Sequence, residues 1–258
     1  MNILAVGDIV GIRAIEYLKK VLWTQRETYK IDFVVANAEN ASDIYGLSPN
    51  DAQTVLDCGV DLMTMGNHTF DKRSLYTYLD DNPDKIIRPV NYPSGSPGYG
   101  SSVVRVNGFR LLCINVQGTA FMTPLNDPFE SVETVLEAED GNYDLALLDI
   151  HAEATSEKYA IARYFDGRIN MIFGTHTHVQ TADEKILEKG SAYITDIGMT
   201  GPVNGILGTD SHAVITRMKN HMPSRFSVAD GEIEMRGVIF SLDEYNNFKI
   251  NYIRRIYV

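Results

Sequence analysis

The chain is poor in cysteine: Cys58 and Cys113 are the only two in 258 residues. That excludes a disulfide framework and a cysteine-rich zinc module. Cys58 falls at the end of an expected helix and Cys113 inside an expected buried strand, so both read as small apolar packing groups. Long apolar runs are missing too. Nothing approaches the roughly 18 apolar residues that a membrane-spanning helix needs. The segment Met1 to Asp8 has no basic residue and only a short apolar core, so it does not read as a secretory leader. A cytoplasmic protein with no membrane partner is expected. Positive charge is scarce as well: 23 Lys and Arg against 34 Asp and Glu give a net charge of −11. This excludes charge-driven binding to duplex nucleic acid. It leaves room for a small anionic substrate, because bound metal ions would supply local positive charge. No repeat, low-complexity tract or linker interrupts the chain, so residues 1–258 are expected to form a single domain.

What is present is a series of short apolar runs, each ending in polar residues. Ile3 to Val6, Phe33 to Ala36, Leu62 to Met65, Leu145 to Ile150 and 169–173 read as buried strands. Helical spacing over about 13–29, a helix opened by Ser48-Pro49, and helices at about 72–80, 129–139 and 156–165 separate them. Strand, helix and strand in that order imply parallel pairing with a right-handed crossover. Asn107-Gly108 sits between Ser101–Val106 and Phe109–Val116, the signature of a hairpin with a type I′ turn. Ala192 to Thr195 is a further strand, and alternation around Phe240 and Ile250 predicts a C-terminal hairpin. The fold class is therefore α/β with mixed strand directions. Between about 199 and 229 no period survives, and a loop-rich segment is expected there.

Open α/β sheets place ligands at the C-terminal ends of their strands. Those ends carry Asp8, Glu39, Asn40, Asn67, His68, His151, His176 and His178. Each alone has a plain reading as a cap, a turn residue or a satisfied loop histidine. Together, at the ends of five separate strands, they point to metal. Imidazole with carboxylate and amide oxygen suits Mn, Fe, Zn, Co or Ni and disfavours a Ca or Mg cage. The set is too large for one ion, and a bridging carboxylate would let it serve two. Two such ions would share a hydroxide and polarise a phosphoryl oxygen in an in-line displacement.

In order, the motifs are Gly7-Asp8-Ile9-Val10-Gly11, Asn37-Ala38-Glu39-Asn40, Gly66-Asn67-His68-Thr69-Phe70-Asp71, a lone His151, Gly174-Thr175-His176-Thr177-His178 and Ile197-Gly198-Met199-Thr200-Gly201-Pro202. This series resembles the calcineurin-like metallophosphoesterase superfamily, and its YmdB-like bacterial family in particular, over essentially the whole chain. The resemblance implies a four-layer α/β/β/α sandwich with two mixed sheets. It implies a first metal held by Asp8, Glu39, Asn40 and His178, with Glu39 bridging. Asn67, His151 and His176 would complete a second site, and His68 would be the general acid. The implied activity is hydrolysis of small phosphodiesters, 2′,3′- and 3′,5′-cyclic nucleotides among them. The alternatives are a phosphomonoesterase such as a nucleotidase, or a regulatory nucleotide- or protein-binding module with weak catalysis. Self-association into a homo-oligomer is also implied.

Two departures from the wider superfamily stand out. Its Asp-x-His becomes Asp8-Ile9-Val10, and its Gly-Asp-x-x-Asp bridge becomes Glu39. A first site with one imidazole and mostly oxygen favours iron or manganese ahead of zinc. After Gly11, Ile12-Arg13-Ala14 stands where relatives have a Pro/Gly-containing turn. Asp196 is a candidate to orient a ligand histidine. Arg13, Arg73, Arg88 and His212 are candidates to touch phosphate, each set against the plain reading of an exposed polar residue.

Overall fold

The computed structural model describes residues 1–258. In chain order its elements are β1 (Asn2–Val6), β2 (Asp8–Ile9), α1 (Ile12–Thr28), β3 (Phe33–Asn37), α2 (Pro49–Asp57), β4 (Leu62–Thr64), α3 (Leu75–Asp81) and β5 (Ile86–Ile87). Then come β6 (Ser101–Val106), β7 (Phe109–Gln117), α4 (Pro128–Ala138), β8 (Leu145–His151), α5 (Thr155–Tyr164), β9 (Met171–Thr175), β10 (Lys185–Ile186) and β11 (Ala192–Ile194). The last are β12 (Met199–Pro202), α6 (Ser211–Asn220), β13 (Ile233–Glu234), β14 (Arg236–Asp243) and β15 (Lys249–Tyr257).

Two six-stranded mixed sheets result, in the orders β15-β14-β1-β3-β4-β5 and β10-β11-β9-β8-β7-β6. Each has a parallel centre and an antiparallel edge. In the first, β1, β3, β4 and β5 run parallel and the C-terminal hairpin β14–β15 pairs antiparallel to β1. In the second, β7, β8, β9 and β11 run parallel, flanked by β6 and β10.

Side chains alternate across a strand, so a strand buried on both faces feeds two cores. Leu4, Val6, Val34 and Met63 pack under helices α1 to α3, with Leu18, Leu22, Ala52 and Leu79. Their neighbours Ile3, Ala5, Val35 and Leu62 face the second sheet and meet Leu111, Leu147, Met171 and Phe173. On its far side Leu112, Ile114, Leu148 and Ile172 pack against Val132, Leu136, Ile161 and Phe165 of α4 and α5. Three cores between four layers make the α/β/β/α sandwich. Cys58 lies in the first core and Cys113 in the second, both free. The Asn107-Gly108 turn has φ of 52° and 89°, as a type I′ turn requires.

The segment expected to be loop-rich is better ordered than its sequence suggests. Met199–Pro202 is a strand that pairs parallel with β2, setting Met199 opposite Asp8, and β13 completes this third, three-stranded sheet. Ser211–Asn220 is a helix whose Asp210 cap accepts from the Ala213 amide. Val214 is its only buried residue, so no apolar period announces it. No helix of the chain is long and apolar enough to cross a membrane.

Candidate metal centre

The C-terminal ends of the two parallel centres open onto one cleft, lined by five of the eight singled-out residues, Glu39, Asn40, His68, His176 and His178; Asp8, Asn67 and His151 lie against these. Four atoms converge at its inner end. His151 Nε2 lies 3.0 Å from Asn67 Oδ1, 3.1 Å from Glu39 Oε1 and 3.1 Å from His176 Nδ1. His151 is fully buried, and the backbone of Gly66 lies flat against its ring; a Cβ there would run into the imidazole.

Hydrogen bonds behind the rings decide where the protons sit. Thr175 Oγ1 donates to Asp149 Oδ1 at 2.7 Å and lies 2.9 Å from His151 Nδ1. Asn37 Nδ2 lies 3.3 Å from the same Nδ1, but the Thr175 contact is the shorter; with its proton given to Asp149, the hydroxyl accepts from Nδ1–H, and Nε2 is left as a lone pair. His176 Nε2 lies 3.1 Å from Glu153 Oε2, which likewise leaves Nδ1 as a lone pair. In the neutral tautomers, two imidazole lone pairs, an amide oxygen and a carboxylate oxygen thus face one point. A single proton cannot satisfy them; a cation does.

The charge pattern of the metal-free chain agrees. Burial alone would lower His151, but the Glu39, Asp8 and Asp149 carboxylates outweigh it and raise the imidazole to about 9. Burial, helped by the positive His151, pushes His176 down to about 3. Burial would raise Glu39, yet His151 and the His68 amide hold it at about 2. The Asp149 carboxyl is driven up to about 7 by burial against its threonine hydrogen bonds.

A second set of donors lies alongside. Asp8 Oδ1 and Asn40 Oδ1 are buried with no hydrogen-bond partner. His178 Nδ1 donates to Leu207 O at 3.0 Å, so Nε2 presents a lone pair 3.7 Å from Asp8 Oδ1. Asn40 Nδ2 donates to Glu39 Oε1 at 3.3 Å, which turns its carbonyl free. Orphaned buried oxygens cost about 1–3 kcal/mol each unless something binds them. Glu39 stands between the two sets, and its Oε2 accepts the His68 amide at 2.8 Å. Glu39, His151 and His176 offer ligand atoms within 4.8 Å of one another, a donor set that fits a metal ion.

His68 stands outside both sets. Its Nδ1 lies 2.7 Å from Asp71 Oδ2, and Nε2 has no protein partner. The ring lines a cavity of about 320 Å³ together with Glu39, Asn40, His176 and His178. A larger groove of about 720 Å³ beside α6 holds one imidazole, His221, and no carboxylate.

Four groups were not in the sequence-derived set, Asp149 behind His151 among them. Asp71 and Glu153 hold His68 and His176 by their far ring nitrogens. Lys158 on α5, fully buried, forms an ion pair with Asp196 at 2.7 Å. Contrary to the expectation from sequence, Asp196 touches no histidine ring. Its Oδ2 accepts from the amide (3.1 Å) and hydroxyl (2.7 Å) of Thr177, the residue between the two histidines. It thereby clamps a loop whose flanking residues, His176 and His178, have φ of 95° and 63°. Of the arginines, Arg13 donates to Gly231 O and pairs with Asp230, while Arg88 ties the 89–97 loop through Pro89 and Pro97 carbonyls. Arg73 is an exposed side chain just before α3, and His212 is exposed on α6.

Residues 4–256 match the family model described as YmdB-like protein. The chain belongs to the YmdB-like family. It is a metallophosphoesterase. A Bacillus subtilis relative, 2′,3′-cyclic-nucleotide 2′-phosphodiesterase, is 44% identical over 95% of this chain and 92% of its own. A solved structure described as a novel phosphatase from Mycoplasma pneumoniae superposes with a TM-score of 0.93 at 34% identity, covering 100% of this chain and 93% of that one. A 5′-nucleotidase precursor from Thermus thermophilus shares the fold at a TM-score of 0.59 and 11% identity, over 100% of this chain and 54% of that one.

Proposed function

We propose that this metallophosphoesterase is a dinuclear phosphodiesterase whose preferred substrates are small cyclic phosphodiesters, 2′,3′-cyclic nucleotides above all and 3′,5′ forms secondarily. The observation that carries this is the convergence of the His151, His176, Asn67 and Glu39 ligand atoms on one point, beside the partnerless buried oxygens of Asp8 and Asn40. The 44% identity to the Bacillus subtilis phosphodiesterase supports the cyclic substrate.

In this reading Asp8, Asn40, His178 and Glu39 hold one ion, and Asn67, His151, His176 and Glu39 the other. The oxygen-rich first set favours iron or manganese. When bound, the ions neutralise phosphoryl charge and lower the pKa of water so that a nucleophile exists at neutral pH. The chain supplies the rest. Asp149 through Thr175, and Glu153, aim the two imidazoles. As the imidazolium, with Nδ1–H held by Asp71, His68 would deliver its Nε2 proton to the departing ribose oxygen.

The test is metal content per chain by elemental analysis, with turnover of adenosine 2′,3′-cyclic phosphate before and after chelation. About two transition ions per chain, with activity lost and restored along with them, is the expected result. Chelator-indifferent turnover would remove the proposal. A monoesterase reading is favoured by the phosphatase description of the Mycoplasma pneumoniae structure. A clear preference for p-nitrophenyl phosphate over its bis ester and over the cyclic nucleotide would reverse the order.

A pH dependence follows from the charge pattern. Metal needs His151 neutral, while the metal-free fold keeps it protonated up to about 9. Metal affinity is therefore expected to weaken progressively as pH falls below about 9 and to level off above it. His176, lowered to about 3, contributes nothing in this window. Chelator competition at a series of pH values checks it; a flat profile would count against His151 as a ligand.

A further inference from the structure

We infer that Tyr45, Leu207 and Val179 form a subsite that seats the nucleobase of the substrate by its faces. This rests on the proposed cyclic-nucleotide reading and adds how the nucleoside is recognised.

Large apolar side chains in water at a cleft mouth have a hydration cost that a ligand can remove. Here Tyr45, Val179 and Leu207, with 44%, 53% and 48% of their surface exposed, all line the cavity that also holds His68 and the metal-ligand candidates Glu39, Asn40, His176 and His178. The Tyr45 ring lies over His68, its centroid 4.4 Å away and its plane tilted by 30°. A group stacked beside that tyrosine is therefore adjacent to the phosphate position.

Both sides of the mouth are pre-formed. Tyr45 stands on a tight turn closed by the Ser42 amide donating to Gly46 O at 3.1 Å. Asp43 and Gly46 adopt φ of 67° and 78° in it. Ser42 Oγ bonds to the Asp51 carboxylate, and Lys72 pairs with Asp43 at 3.3 Å. Opposite, Ile206 and Thr209 exchange two backbone hydrogen bonds of 2.8 and 3.0 Å around Leu207-Gly208, whose φ values are 53° and 83°. The Leu207 carbonyl in turn holds His178. Two hydrogen-bonded turns thus present apolar surface to the same cavity as four of the metal-ligand candidates, and little binding energy is lost to ordering them.

The polarity of this mouth selects the occupant. Thr209 is the one polar side chain on the Leu207 turn within the cavity lining, and the one amide in that lining, Asn40, is a metal-ligand candidate. A planar ring with two apolar faces fits the part of the mouth formed by Tyr45, Val179 and Leu207. Stacking is tolerant because every base has a π face. The subsite is expected to favour purines modestly and to discriminate little among bases otherwise.

The experiment compares adenosine 2′,3′-cyclic phosphate with the base-less methyl riboside 2′,3′-cyclic phosphate, using wild type, Tyr45→Phe and Tyr45→Ala. Adenosine 3′-phosphate and ribose 3-phosphate binding are measured by calorimetry in parallel. The expected result is that Tyr45→Ala raises KM for the nucleotide about tenfold, leaves the base-less ester unchanged, and is rescued by Tyr45→Phe. A fall in kcat shared equally by both esters would overturn the inference, because it would mean that Tyr45 only packs His68. Wild type that hydrolyses both esters with equal efficiency would overturn it too, while leaving the phosphodiesterase reading intact. If neither ester is hydrolysed, that reading fails. The subsite then stands or falls on whether adenosine 3′-phosphate outbinds ribose 3-phosphate in wild type and loses that advantage in Tyr45→Ala.

Discussion

His68→Ala is expected to slow hydrolysis of a ribose cyclic phosphodiester by roughly 10²–10⁴-fold and to leave the metal content unchanged. The ring is not among the converging donor atoms; it approaches them only through its own backbone amide, which bonds Glu39 Oε2 at 2.8 Å and survives the substitution. What is lost is the proton on Nε2, the ring nitrogen with no protein partner. An alkoxide is a poor leaving group and needs that proton; a p-nitrophenolate does not. The deficit should therefore shrink markedly on bis(p-nitrophenyl) phosphate. Asp71→Asn should fall between wild type and His68→Ala, since the ring remains but loses the carboxylate at 2.7 Å that orients it. Elemental analysis and the two substrates side by side make the check. Metal lost along with activity, or equal deficits on both substrates, would show that His68 is a ligand or a packing group and not an acid.

The path from residues to this site was legible where a strand end announces itself. Ile3–Val6 before Gly7-Asp8 is a continuous apolar run, and Leu145–Ile150 before His151 is one broken only by Asp149. That pattern holds whatever the tertiary packing. The central strands of both sheets were legible for the same reason, their division into two sheets only through the family resemblance, and the hairpin at Asn107-Gly108 because only a few dipeptides accept two positive φ values in succession. Less visible were residues whose role depends on which strand lies beside which. Asp149 sits inside an apolar run, and nothing local says that Thr64 and Thr175, from two different sheets, both bond to it. Glu153 follows His151 by two positions and could have been suspected from that spacing alone. Helix α6 was hidden because it buries a single side chain, and β12 because Gly201-Pro202 reads as a turn unless its pairing partner, the Asp8 strand, is known.

Lys158 illustrates that hidden class most sharply, and its removal tests how much stability the loop geometry draws from it. A lysine on an amphipathic helix reads as solvated, yet here the side chain is fully buried and its Nζ meets an equally buried carboxylate at 2.7 Å. Its methylene stem fills the space that a side chain at position 174 would need. Lys158→Met keeps that stem and deletes the charge, leaving Asp196 anionic and unpaired in the interior. Breaking a buried pair in this way costs about 3–5 kcal/mol, and for a chain of this size that is a fall in melting temperature on the order of 10 °C. The loss is not confined to the pair. Asp196 is also what holds Thr177, so the positive-φ backbone at His176 and His178 loses its clamp and metal affinity should drop with stability. Removing the stranded charge as well, in Lys158→Met with Asp196→Asn, should recover part of the melting temperature: the amide oxygen can still accept from Thr177, while its NH2 loses the bond from the Gly198 amide at 2.8 Å. Asp196→Asn alone strands the Lys158 charge and should also lower the melting temperature, so a double variant more stable than Lys158→Met is a coupling that additive effects cannot produce. Thermal unfolding of the apoproteins, paired with chelator competition on the same samples, separates the two consequences. If Lys158→Met melted with wild type, the pair would be an incidental contact and the loop would owe its geometry to something else.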